Sequence, residues 1–137
     1  MDTARTAVFG AGSWGTALAD SLAAAGHPVT LWARREDAAR EIEATRRNSR
    51  YLPQAELPAT LRITSDLQAA ASGADVWLFA VPSQSLRSVA SQLSGRETEP
   101  RAIVSVAKGI ENGTLLTTSA VLRDVLPAAP EARLGVL

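Results

Sequence analysis

Three glycines, Gly10, Gly12 and Gly15, stand in the run Gly-Ala-Gly-Ser-Trp-Gly directly behind an apolar stretch at 6–9. A turn of this kind holds a ligand by its backbone. The first glycine lets the chain fold sharply out of a strand, the second lets amide N–H groups approach an anion, and the third lets the next helix lie close to the sheet. The ligand suited to it is a diphosphate on a helix N-terminus, where unpaired N–H groups and the helix dipole favour negative charge. Glycines also mark turns of no chemical consequence. Here, however, the triad opens an alanine-rich helical stretch, and a second apolar run at 29–33 ends about twenty residues later, as a dinucleotide-binding unit requires.

Arg34 and Arg35 follow that second run, where a domain selecting NAD would place Asp or Glu against the ribose hydroxyls. A guanidinium fork there pairs with a 2′-phosphate and stacks on adenine, so NADP is the expected cofactor in preference to NAD; the alternative is a surface arginine pair on a solvated helix start. Open α/β sheets bind ligands beyond the carboxyl ends of their strands. Ser13 and Trp14, Pro82 and Ser83, and Lys108 and Gly109 are therefore expected around one crevice, with Trp14 beside the pyrophosphate and ribose. Lys108 is the only lysine of the chain, and its ammonium suits a phosphate, a carbonyl or a cofactor amide. Tyr51 either closes over the crevice or pins its loop to the sheet. Arg46, Arg47 and Arg50 read as a solvated basic face rather than an anion clamp. The single histidine, His27, falls in a turn at the amino end of the sheet, which excludes a histidine general base, and no carboxylate pair has the placement acid–base work needs. No catalytic residue is expected within this chain.

The elements that must position these residues follow from periodicity. Ala17, Leu18, Ser21, Leu22 and Ala25 recur at helical spacing, and Gly26 with Pro28 stops that helix. A solvated helix is expected over 36–46, then an unusually long loop over 48–60, the kind more often functional than idle. A short strand at 61–64 leads to a short helix capped by Ser65 or Asp66 and ended by Gly73. Strands are expected at 75–81, 102–107 and 133–137. Between them lie a helix capped by Ser83 and ending near Gly95, and another over 115–126 closed by Pro127. Alternating strands and helices imply parallel pairing and right-handed crossovers, hence a Rossmann-type doubly wound parallel sheet with helices on both faces, in the order 3-2-1-4-5-6.

The 137 residues, 46% of them hydrophobic, suffice for one domain over 1–137 but not for a nucleotide domain plus a full substrate domain. Lys and Arg balance Asp and Glu at 14 each, so the field that would draw the chain to nucleic acid or an anionic membrane is missing. Without cysteine there can be no disulfide, thiolate nucleophile or Cys-based zinc site, no metal is expected, and a cytoplasmic location is the simplest expectation. No window approaches a membrane span. The last residues, Gly135, Val136 and Leu137, lie inside an apolar strand, so a second domain is expected to follow.

Taken together, Gly-Ala-Gly-Ser-Trp-Gly-Thr-Ala-Leu-Ala at 10–19, Leu-Trp-Ala-Arg-Arg at 31–35, Asn48 with Tyr51-Leu52-Pro53 and Leu57-Pro58, Thr64 with Asp66-Leu67, Val-Pro-Ser-Gln at 81–84 and Lys-Gly-Ile-Glu at 108–111 carry a resemblance. The chain resembles the N-terminal domain of bacterial NAD(P)-dependent glycerol-3-phosphate dehydrogenase. The resemblance implies interconversion of dihydroxyacetone phosphate and sn-glycerol 3-phosphate with NAD(P)H for glycerophospholipid synthesis, in a full-length protein expected to be a homodimer. It implies that Ser13, Trp14, Arg34, Arg35 and Tyr51 touch the cofactor and that Lys108 meets both cofactor and substrate. It also implies that the proton-transferring lysine sits in a helical C-terminal domain outside this chain, so the chain alone should bind cofactor without useful turnover. Two other readings stay open: another dehydrogenase of the 3-hydroxyacid or 6-phosphogluconate type, and a non-catalytic nucleotide-binding module that senses redox poise. The segment at 108–111 speaks against the first, the abrupt final strand against the second.

Overall fold

The computed structural model describes residues 3–96, 100–127 and 133–137. In chain order its elements are β1 (Thr6–Phe9), α1 (Ser13–Ala24), β2 (Val29–Trp32), α2 (Glu36–Thr45), β3 (Arg62–Thr64), α3 (Leu67–Ala71), β4 (Val76–Phe79), α4 (Ser83–Ser91), β5 (Ala102–Ser105), α5 (Thr118–Val125) and β6 (Leu134–Val136). The strands form one sheet in the order β3-β2-β1-β4-β5-β6, with every pair parallel, as the alternation of periods predicts.

Strand β1 is buried along its whole length because it lies mid-sheet with helices over both faces. Its side chains alternate. Ala7 and Phe9 join Trp77, Phe79 and Ile103 beneath α3, α4 and α5, while Val8 joins Leu31 and Leu78 beneath α1 and α2. Phe9 stacks at 4.8 Å on Phe79 and meets Trp77 edge-on at 6.1 Å, each contact adding about 1 kcal/mol to the area it buries.

The register decides where the site can form. Phe9 is paired with Trp32 on one side and Phe79 on the other, and Phe79 with Ser105. The chain therefore leaves four neighbouring strands at one level, through Gly10, Ala33, Ala80 and Val106. Between β1 and β4 the winding reverses direction, which opens a crevice above those ends.

Several local expectations are corrected. Ser83 is the first residue of α4 and does not cap it; Pro82 holds the cap position, its fixed φ suiting a helix start. Helix α5 starts at Thr118, not 115, because Thr117 caps it by accepting a bond from the Ala120 amide at 3.3 Å. Leu115 instead has φ +60° in a closed turn where the Glu111 amide donates to the Leu116 carbonyl at 2.9 Å and Ile110 bridges Thr117. Helix α2 ends at Thr45, with Arg46 in the left-handed conformation as its C-cap. Strands β4 and β5 end at Phe79 and Ser105, short of the expected 81 and 107, since the chain turns there into the crevice.

Candidate functional site

The cleft above the strand ends encloses about 930 Å³ and is lined by the glycine turn, the ends of β2, β4 and β5, and the loop after α2. Its floor is the turn at 10–15. Gly10 has φ +118°, and a Cβ there would lie 2.7 Å from the Ala80 carbonyl oxygen. A Cβ on Gly15 would come within 1.9 Å of the Gly10 oxygen, so only glycine lets α1 approach this closely. Gly12 differs: a Cβ there would meet nothing within 4 Å, because its α-carbon faces the open cleft. Two glycines are thus required by close backbone approach and the third borders open space, a division compatible with a dinucleotide cradle. Gly12 is also the N-cap of this twelve-residue helix, α1, and offers no side-chain hydrogen bond to its first amides.

Ser13 and Trp14 border the cleft, with Trp14 56% exposed and therefore no part of the core. Arg34 and Arg35 line the cleft past β2. They differ in availability. Arg35 is engaged by Asp37 through its Nε at 3.1 Å and through a second, shorter bond, and this arginine holds the Asp37 carboxyl below its ordinary value. Arg34 is exposed and has no hydrogen-bond or ion-pair partner among the described residues. Lys108 enters the cleft from the end of β5, also exposed. Pro82 lines it, but Ser83 and Gly109 do not; they face each other, the Ser83 Oγ lying 3.4 Å from where a Gly109 Cβ would stand. His27 sits before β2 at the opposite edge, its amide bonded to the Leu22 carbonyl.

The loop at 48–60 supplies the far wall. Asn48 is 4% exposed and donates from Nδ2 to the Ala11 carbonyl and to Thr16 Oγ1, each at 2.9 Å. The Asn48 Oδ1 accepts from the Tyr51 amide at 3.4 Å. Tyr51 is thus held by its backbone at the rim, and its ring packs under the Arg50 guanidinium at 5.3 Å, 44% exposed. Arg46 is not part of a solvated face as expected. It is half-buried and binds the Pro58 and Leu61 carbonyls at 3.1 and 2.7 Å, closing the loop on itself. Arg47 is exposed and pairs loosely with Glu56 at 3.9 Å.

Sequence reasoning missed the part played by Asn48, since a lone asparagine in a polar loop carries no periodic signal. It also missed Asp37 and Glu41, which bring carboxylates to the same cleft.

A doubly wound parallel sheet with a glycine cradle at its switch point defines a nucleotide-binding domain of the Rossmann type. The comparisons narrow this. Residues 5–137 match the family described as the NAD-dependent glycerol-3-phosphate dehydrogenase N-terminus. A glycerol-3-phosphate dehydrogenase [NAD(P)+] of Salinibacter ruber is 52% identical over 137 residues, all of this chain and 40% of that protein. The crystal structure of glycerol-3-phosphate dehydrogenase from Coxiella burnetii superposes with a TM-score of 0.84 at 35% identity, covering 90% of this chain and 38% of that one. A yeast glycerol-3-phosphate dehydrogenase gives a TM-score of 0.79 at 28% identity, covering 93% of this chain and 40% of that one. The chain belongs to the NAD-dependent glycerol-3-phosphate dehydrogenase N-terminal family and spans about 40% of the length of the curated relatives it matches. Among the described residues, no helix is long and apolar enough to cross a membrane.

Proposed function

We propose that this chain is the cofactor-holding part of an enzyme that interconverts dihydroxyacetone phosphate and sn-glycerol 3-phosphate with NAD(P)H. The observation that carries the reading is the open space at Gly12 beside the unfilled N-cap of α1, with Arg34 and Lys108 lining the same cleft. Backbone amides at the start of α1 hold the diphosphate, and the helix dipole supports its charge. Arg34 answers the 2′-phosphate, which favours NADP over NAD; Arg35, committed to Asp37, contributes less. Ser13, Trp14 and Tyr51 flank the nucleotide.

When bound, the nicotinamide supplies or accepts the hydride. Lys108, entering from β5, neutralises phosphate charge where cofactor and phosphorylated triose meet, and proton transfer falls to a residue outside 1–137. Titration of the chain with NADPH and NADH, followed by thermal shift, tests the reading. A ligand at a hundredfold excess over Kd raises stability by about 2.7 kcal/mol. The expected result is a rise with both and a larger one with NADPH at equal concentration; no rise with either overturns it.

A further inference from the structure

Besides its own turn back to Leu116 and Thr117, the segment that carries Lys108 is held by the outer face of α4. Gln84 donates from Nε2 to the Ile110 carbonyl and accepts at Oε1 from the Asn112 amide, both at 2.8 Å. Three residues on, Arg87 grips Glu111 with two parallel bonds, Nε to Oε1 at 2.7 Å and Nη2 to Oε2 at 3.0 Å, while its Nη1 reaches Asp124 of α5 at 2.5 Å. The hydroxyl of Thr114 donates to Glu111 Oε2 as well, at 2.5 Å. Leu86, Val89 and Ala90, on the inner face of the same helix, are locked in the core. Ile110, Glu111 and Asn112 are thus mounted on a rigid element two residues beyond the lysine.

The arrangement has an electrostatic side. Glu111, three residues from Lys108, is the nearest carboxylate along the chain and the natural partner for its ammonium. Arg87 engages both of its oxygens instead, and Lys108 has no hydrogen-bond or ion-pair partner among the described residues. Gln84 is exposed yet fixes both ends of its amide on the loop, against the rotamer entropy an exposed glutamine would otherwise keep.

We infer that Gln84 and Arg87 are positioning residues which hold the loop after β5 and, through the Arg87 grip, keep the Glu111 carboxylate off Lys108, so that the ammonium stays aimed into the cleft and free for an anionic ligand. The inference rests on the reading of Lys108 given under Proposed function.

Because Lys108 is the only lysine, its environment can be read from one signal. The chain is reductively methylated with ¹³C-formaldehyde, and the Lys108 methyl resonance, identified by its loss in Lys108→Arg, is followed during titration with NADPH. In the parent the resonance moves on binding. In Arg87→Met, which releases the Glu111 carboxylate, and in Gln84→Ala it loses most of that movement, and NADPH binds about tenfold more weakly, the scale of one charge-assisted bond. Circular dichroism shows whether each variant keeps its fold; Gln84→Ala, at an exposed site, does so even if Arg87→Met does not. A parent resonance that moves with variants that move equally overturns the clamp alone. A parent resonance that stays still while the amides of the glycine turn respond overturns the role of Lys108 and the clamp with it.

Discussion

Asn48 donates from Nδ2 to Oγ1 of Thr16 across 2.9 Å, joining the loop after α2 to the first turn of α1. Both residues are buried and the other Nδ2 bond goes to Ala11, between the first two glycines, so one amide sets the distance between cleft floor and far wall. Asn48→Ala is expected to cost about 2 kcal/mol in denaturant unfolding by leaving buried oxygens without donors. Combined with Thr16→Val, the loss should fall short of the sum by about 1 kcal/mol, because the second change removes a group the first had orphaned. Additive losses would show that the bond does not couple the two segments.

Gly12 and Gly15 separate ligand space from fold space. Gly12→Ala should unfold within about 1 kcal/mol of the parent, since its Cβ meets nothing, yet bind NADPH far more weakly. Gly15→Ala should lose about 3 kcal/mol of stability, because its Cβ collides with backbone at 1.9 Å. Thermal melts with and without NADPH distinguish the two, and a Gly12→Ala protein that binds normally would remove the diphosphate from this turn.

Arg34 and Arg35 line the same cleft but only Arg34 is unengaged. Arg34→Ala should bring the affinities for NADPH and NADH about tenfold closer, the loss of one charge-assisted contact. Arg35→Ala should change the ratio less. Isothermal titration of each variant with both cofactors measures it, and the reverse ranking would exchange the two roles.

The Arg87 guanidinium, helped by the Thr114 hydroxyl, holds the Glu111 carboxyl below its ordinary 4.5. A carboxylate lowered in the native state adds stability that is fully present above the unfolded value and is lost as pH falls from there through the native value. Glu111→Gln removes that dependence. Below pH 4.5 the stability gap between parent and variant should therefore narrow, as urea unfolding at a series of acidic pH values would show; a constant gap would mean that the pair does not survive in solution.

Much of the fold was legible because β1, β2 and β4 are apolar runs punctuated by glycine or proline, and because the helices between them have an apolar stripe of period 3.6. The strand order followed from connection rules, and Asp66 capped α3 as its position suggested, accepting from the Ala69 amide. What could not be read were features set by distant contacts. Arg46 belongs to a basic cluster in sequence, yet its side chain is turned inward by the carbonyls of Pro58 and Leu61. Leu115 sits in a helical period but is diverted into a turn closed between Glu111 and Leu116. Around the cleft, backbone-determined positions such as Gly12 were foreseeable from spacing alone. The division of labour between Arg34 and Arg35 depended on where Asp37 fell.

The pairing of Phe9 with both Trp32 and Phe79 ties the floor of the cleft to the interior of the molecule. A slip of β1 by a single residue would turn Phe9 to the opposite layer and carry Gly10 off the common level. Core and cleft consequently have no separate adjustment: a change that loosens the aromatic stack should blunt ligand affinity while the chain is still folded, and a bound nucleotide should in turn stiffen the middle of the sheet.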